Sequence, residues 1–201
     1  MHTHTSRLKA LSRLLLLAIL AVIAVSPVHA QKVALKTNLL YDATLSPNIG
    51  IESTIAKKWT AELTGSVNGW AISDHRWKHW MIQPEVRYWF CDRFSGHFVG
   101  AHLLGGQVNI GGLNHAYSFL GDGVDLHNRR YQGWYGGAGI AYGYTWILAK
   151  HWSVEAEIGL GWIYTRYDVY PCRVCGNKMA TDRSHNYFGP TKAAINLIYV
   201  F

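Results

Sequence analysis

Beyond residue 30 the sequence lacks any apolar run near the roughly 18 residues that a membrane-crossing helix needs. That absence excludes a helical span from most of the chain. A closed ring of strands is then the one architecture able to cross a bilayer, because lipid cannot satisfy an open sheet edge. Charge is scarce as well, with Asp, Glu, Lys and Arg making up 15% of the 201 residues. The formal balance is +7, and three of its positive charges (Arg7, Lys9 and Arg13) fall in the first 13 residues, where there is no acid. The +4 left over is too small and too scattered to mark a nucleic-acid surface. Cysteine is nearly absent: Cys91, Cys172 and Cys175 are the full set, and there is no second Cys-x-x-Cys to complete a four-cysteine zinc site. The glycine run 105–112 lacks the Lys-Ser/Thr that a phosphate-binding loop requires, so its glycines are expected to bend a strand or bring it close to a neighbour.

The residues that are present point outward from the cell. Basic residues 1–13, the apolar run 14–25 and the small-residue site Val28-His29-Ala30 have the layout of a secretory signal peptide. The expected mature domain is therefore 31–201, and it holds all nine tryptophans. The last ten residues alternate as a strand, with Ala193, Ile195, Leu197, Tyr199 and Phe201 on one face. A terminal Phe with Tyr two residues before it resembles the assembly signal of outer-membrane barrels, which assigns that role to Tyr199 and Phe201. Period-two alternation predicts eight strands, at 33–41, 48–55, 59–67, 80–90, 97–105, 134–146, 152–164 and 192–201. The connections 56–58, 91–94 and 148–151 are short. Those at 42–47, 71–79, 109–131 and 165–186 alternate with them, and three of these four are long. Short turns inside and long loops outside is the outer-membrane pattern. Trp152 and Trp162 lie on one face ten residues apart. That is roughly 33 Å of strand, or about 25 Å of height at a ~40° tilt, the span of an apolar band between aromatic girdles. The expected fold is all-β: an eight-stranded antiparallel transmembrane β-barrel, an up-and-down meander, with both termini periplasmic in a bacterial outer membrane.

The opposite faces predict a polar interior of Lys36, Asn38, Glu52, Glu62, Glu85, Arg87, Glu155, Glu157, Lys192 and Asn196. Eight strands enclose a space that side chains can fill, and charges buried there must pair. Cys172 and Cys175, in the last outer loop, are expected to form a local disulfide, since export favours oxidation. Half a metal site, completed by His185, His115 or His127, and free thiols are the alternatives. Cys91 is expected in a turn at the opposite end. Ser73-Asp74-His75 gathers a nucleophile, an acid and a base, but adjacent residues seldom reach triad geometry, so a polar loop is expected.

The strings Leu35-Lys36-Thr37-Asn38-Leu39-Leu40-Tyr41-Asp42-Ala43, Pro47-Asn48-Ile49-Gly50-Ile51-Glu52 and Pro84-Glu85-Val86-Arg87-Tyr88-Trp89 carry a family resemblance. Gly105-Gly106-Gln107, Gly133-Trp134-Tyr135-Gly136-Gly137 and Tyr187-Phe188-Gly189-Pro190-Thr191-Lys192 extend it. The mature chain resembles a Bacteroidota outer-membrane family known as domain of unknown function 3575, and the paired cysteines with Gly176 fit that resemblance too. It implies a small outer-membrane barrel, inserted by the barrel-assembly machinery, with some members encoded beside fimbrial genes. It carries no catalytic residues over to this chain.

The functional expectation is a non-enzymatic barrel whose outer loops form a binding or anchoring surface, supporting assembly of fimbriae or other surface structures. Its partners would be outer-membrane lipid, the assembly machinery and surface or fimbrial proteins, with no nucleic acid and no cofactor. The alternative is a lipid-modifying acyl hydrolase using Ser73, His75 and Glu85, or His185. A narrow pore is the further alternative.

Overall fold

The computed structural model describes residues 33–69, 71–72, 75–112, 126–171 and 179–201, apart from the side chains of residues 71, 72, 75, 76, 180 and 181. The chain separates into two units, and residues 1–31 (the first unit) lie outside the described residues, as does the expected signal peptide. The second unit is built from eight principal strands: β1 Val33–Asn38, β2 Asn48–Ala56, β3 Trp59–Asn68, β4 His75–Trp89, β5 Gly96–Gly111, β6 Arg130–Ile147, β7 Trp152–Tyr170 and β8 Ala180–Val200. A two-residue strand, Ala71–Ile72, pairs back onto the start of β4. Each principal strand runs antiparallel to its chain neighbour, and β8 returns to pair with β1, so one up-and-down sheet closes into a ring. No helix among the described residues is long and apolar enough to cross a membrane.

Alternation explains the ring wall. Along β7, Ser153, Glu155, Glu157 and Gly159 are buried, while Ile158, Leu160 and Trp162 face outward. The same inversion runs round the ring. Ile51, Leu63, Ile82, Leu103, Ile140 and Ile195 are exposed, and Lys36, Glu62, Glu85 and Arg87 are buried. The three short connections and both ends of the unit gather at one end, where the Phe201 N–H donates to the Val33 carbonyl at 2.9 Å. Here Phe94, at positive φ, folds inward onto Trp89 and closes the ring floor together with Phe98, Ala34 and Ile198.

Two expectations are corrected at the other end. The first strand stops at Asn38 rather than running to Tyr41, and Leu39–Ala43 forms a short helix, α1. The Asn38 side chain is the cause. Its Oδ1 accepts from the Leu40 N–H at 3.1 Å and from the Ile195 N–H at 3.2 Å, which caps the helix and ends the ladder together. Secondly, much of the expected long loops is strand. β4 begins at His75, β5 continues to Gly111, β6 begins at Arg130, β7 runs to Tyr170 and β8 begins at Ala180. Pairing persists to Arg130↔Tyr170 and Val169↔Ala180, where the alternation reverses: Val108, Ile110, Tyr131 and Val169 are buried inside, and Arg166 and Asp168 lie on the outer face. His185, expected in a loop, therefore lies on β8 opposite Thr165.

Candidate functional site: a charged layer beneath an apolar cavity

The ring interior is stratified. Above the aromatic floor, Arg87 reaches five carboxylates from one strand position. Its Nη1 lies 3.1 Å from Glu52 and 3.1 Å from Glu155, and its Nη2 lies 2.9 Å from Glu62 and 2.8 Å from Glu157. The Nε donates to Glu85, and the guanidinium carbon stands 4.5 Å from the Phe98 ring centre. Lys36 pairs with Glu52, with Glu62 at 3.0 Å and with Glu155 at 3.2 Å. Lys192 holds Glu85 at 2.6 Å and Glu157 at 2.9 Å. Asn196 Nδ2 and Thr145 Oγ1 each donate to Glu155 at 2.9 Å. All ten residues expected in the interior face it, contributed by β1, β2, β3, β4, β7 and β8; nine form this layer, and Asn38 stands at its upper edge. A ring of different strands can concentrate charge this way because each strand offers one or two inward positions at the same height. Every base then faces several acids, which compensates the cost of burial.

Sequence reasoning missed His102 and the threonines of this layer. His102 is buried on β5, with Nε2 2.9 Å from Thr191 Oγ1 and Nδ1 3.8 Å from Glu85. Its parity with Phe98 and Gly100 was the available signal. The glycines opposite make room for it. A Cβ on Gly139 would lie 2.7 Å from His102 Nε2, and one on Gly159 would lie 2.9 Å from its Cε1. This accounts for part of the glycine richness of β6 and β7.

Above the charges, α1 packs against β8, and its Tyr41 Oη comes within 3.9 Å of Met81 Sδ on β4. Beside the helix lies a cavity of about 540 Å³, lined mainly by apolar side chains, Met81, Leu104 and Ile163 among them. Val108, Ile110, Leu126, Tyr131 and Val169 pack together above it.

The remaining candidates do not join one site. Glu85 is held in the charged layer, while His185 lies seven residues beyond Lys192 along β8, roughly 23 Å of strand away. Ser73, Asp74, His115, Cys172, Cys175 and Gly176 and the side chain of His75 lie outside the described residues. Cys91 is exposed in its turn, and His127 is exposed beside Leu126. Among the described residues no group of three His, Cys, Asp or Glu is placed to hold a metal ion.

Fold and interior together define a closed antiparallel ring with inverted polarity, charged within and apolar without. The chain belongs to the family described as "Protein of unknown function (DUF3575)", whose profile matches residues 14–201. No curated protein matches the chain.

Proposed function

We propose that this protein is a transmembrane β-barrel of a bacterial outer membrane, exported by a signal peptide, with both termini in the periplasm. The observation that carries this reading is the outward face. Large apolar side chains occupy it on β2 to β8, Ile140 at 71% exposure and Phe188 at 79% among them, which in water would promote aggregation. Aromatic rings gather at both heights of that face. At the turn end, Trp59 packs on Tyr88, Tyr144 on Trp146, and Tyr199 on both Trp152 and Phe201. At the other height stand Trp80, Trp134, Trp162 and Tyr164. Two such girdles about an apolar band suit a bilayer with water on either side.

Within that membrane the barrel serves as an anchoring or binding surface and not as an enzyme. The interior is occupied by the charged layer and its aromatic floor, which favours a plug over a channel. The wall is also far taller than the membrane needs. The 19 residues of β7 make about 63 Å of strand, or roughly 48 Å of height at a ~40° tilt, against an apolar band of ~25 Å. The part left over bears Arg166, Tyr167, Asp168, Asp182 and Arg183 and offers a polar, aromatic surface for proteins outside the cell, fimbrial subunits among them. Replacing residues 167–183 with a short Asn-Gly turn tests this. Membrane insertion and heat-modifiable gel mobility should persist, while display of surface fibres falls to the level of a deletion strain. Undiminished display would refute the anchoring role.

A further inference from the structure

Both junctions of β1 are short, four pairs with β2 and five with β8, because β1 ends at Asn38 while β8 runs on towards Ala180. At the β1–β8 seam the ladder runs only from Ala34↔Val200 to Asn38↔Asn196, whereas β7 and β8 stay paired up to Val169↔Ala180. Above Asn196, no strand among the described residues pairs with β8 on its β1 side. Five pairs make about 16 Å of strand, or ~13 Å of height at a ~40° tilt, about half of a ~25 Å apolar band. Above Asn38 the wall beside β8 is therefore completed at hydrocarbon depth not by a strand but by the short helix α1, which packs against β8. The cavity of about 540 Å³ reaches this stretch of wall: Leu40, Pro190 and Ala193 line it on the seam side, and Met81, Leu104 and Ile163 on the inner side. That volume lies within the ~300–1,000 Å³ usual for small-molecule sites.

We infer that the cavity receives the acyl chain of a membrane lipid, which enters sideways beside β8, past the short helix α1 that stands in place of a strand there. The inference rests on the membrane reading above. The chemistry of this stretch selects a hydrocarbon chain over a pairing strand. Pro190, in the part of β8 that pairs with β7 but has no β1 partner, has no N–H to give to an added strand, and proline in sheets is confined to edges and bulges. The backbone groups nearest the ladder's end are already used, since Asn38 Nδ2 donates to the Ala193 carbonyl and Asn38 Oδ1 accepts from Ile195 N–H. Leu40 on α1 and Phe188 on the adjoining outer face are exposed and apolar, as a passage for a lipid tail requires.

The full-length mature protein in vesicles containing a phospholipid with a diazirine at its acyl terminus provides the test. After irradiation, adducts are mapped by peptide mass spectrometry. Adducts on outward Ile140 and Leu160 report insertion, and adducts on inward Met81, Leu104 or Ile163 report the cavity. Leu104→Trp should lower inward labelling about tenfold, the effect of removing ~1.4 kcal/mol of binding, and leave outward labelling unchanged. Leu40→Asp alters an exposed position and should do the same, which keeps the test valid if the core variant does not fold. Outward adducts without inward ones overturn the inference, as does inward labelling that neither variant lowers. Absence of outward adducts overturns the membrane reading instead. If a diazirine-bearing free fatty acid labels the inward positions and the phospholipid does not, assignment to a membrane lipid falls.

Discussion

Arg87 is the residue on which the interior depends, because five carboxylates converge on its guanidinium and its burial is complete. Removing one partner of a buried ionic group leaves the others uncompensated, at a cost of about 3–5 kcal/mol. Arg87→Met should destabilise by that order in urea unfolding of protein refolded in detergent. Adding Glu52→Gln and Glu155→Gln should recover part of the loss, because fewer carboxylates then lack a partner. A neutral Arg87→Met would mean the charged layer contributes little. A second residue-scale prediction lies beyond the apolar band, where Arg166 bonds to Asp182 across β7 and β8. The hydrogen bonds from Arg166 hold the Asp182 carboxyl below its usual 3.8. A depressed carboxyl contributes its contact at neutral pH and loses it as pH falls through the lowered value. An NMR titration should place the Asp182 midpoint below 3.8, and Arg166→Gln should return it there. A midpoint unaffected by that change would rule the pair out.

Among the elements, α1 and the seam are linked through Asn38, which caps the one and ends the other. Asn38→Ala removes a helix cap worth roughly 0.5–2 kcal/mol and leaves the Ile195 N–H without its acceptor. Hydrogen exchange should quicken at Ile195 and Leu40 while amides deep in the β6–β7 ladder keep their protection. Uniform loss of protection would mean the seam is not a separate local unit. Gly139 tests the neighbouring wall, since a Cβ there would press on His102, Thr191 and the Leu160 carbonyl, each at 2.7 Å. Gly139→Val should lower urea stability by about 1–3 kcal/mol through overpacking, whereas Ile140→Val, on the outer face, should change it little.

Over the whole molecule, polarity is reversed relative to a soluble protein, and the final strand closes the ring with Phe201 on the outside at 65% exposure. Burial of only about a third of the side chain limits its share of stability to about 1 kcal/mol by transferred area. Phe201→Ala should therefore leave refolded protein with the heat-modifiable mobility of a closed barrel. On the outer-membrane reading proposed above, with Phe201 as part of an assembly signal, its amount in the outer membrane should drop sharply. Wild-type membrane levels for this variant would refute that role. Purified protein in planar bilayers should show no single-channel conductance, since the charged layer and the Phe94–Trp89–Phe98 floor fill the bore. A steady channel would count against the plug.

Much of this is legible in the amino-acid sequence. Alternation such as Ser153, Glu155 and Glu157 between Val154, Ala156 and Ile158 determined strand number and inward face, because a strand has a fixed period of two. The same alternation named nine of the residues in the charged layer, though not which acid meets which base. His102 escaped because its neighbours on that face, Phe98, Gly100 and Leu104, carry no polar side chain, and the loop-side ends of β5 to β8 escaped because the alternation reverses there, with Val108, Ile110 and Val169 turned inward. The break at Asn38 depended on a contact between residues 157 positions apart, which no local pattern encodes. Local periodicity thus determined the wall of the ring. The convergence on Arg87, the packing of α1 against β8 and the short β1–β8 seam were decided by tertiary closure, because each arises where distant segments meet across the ring.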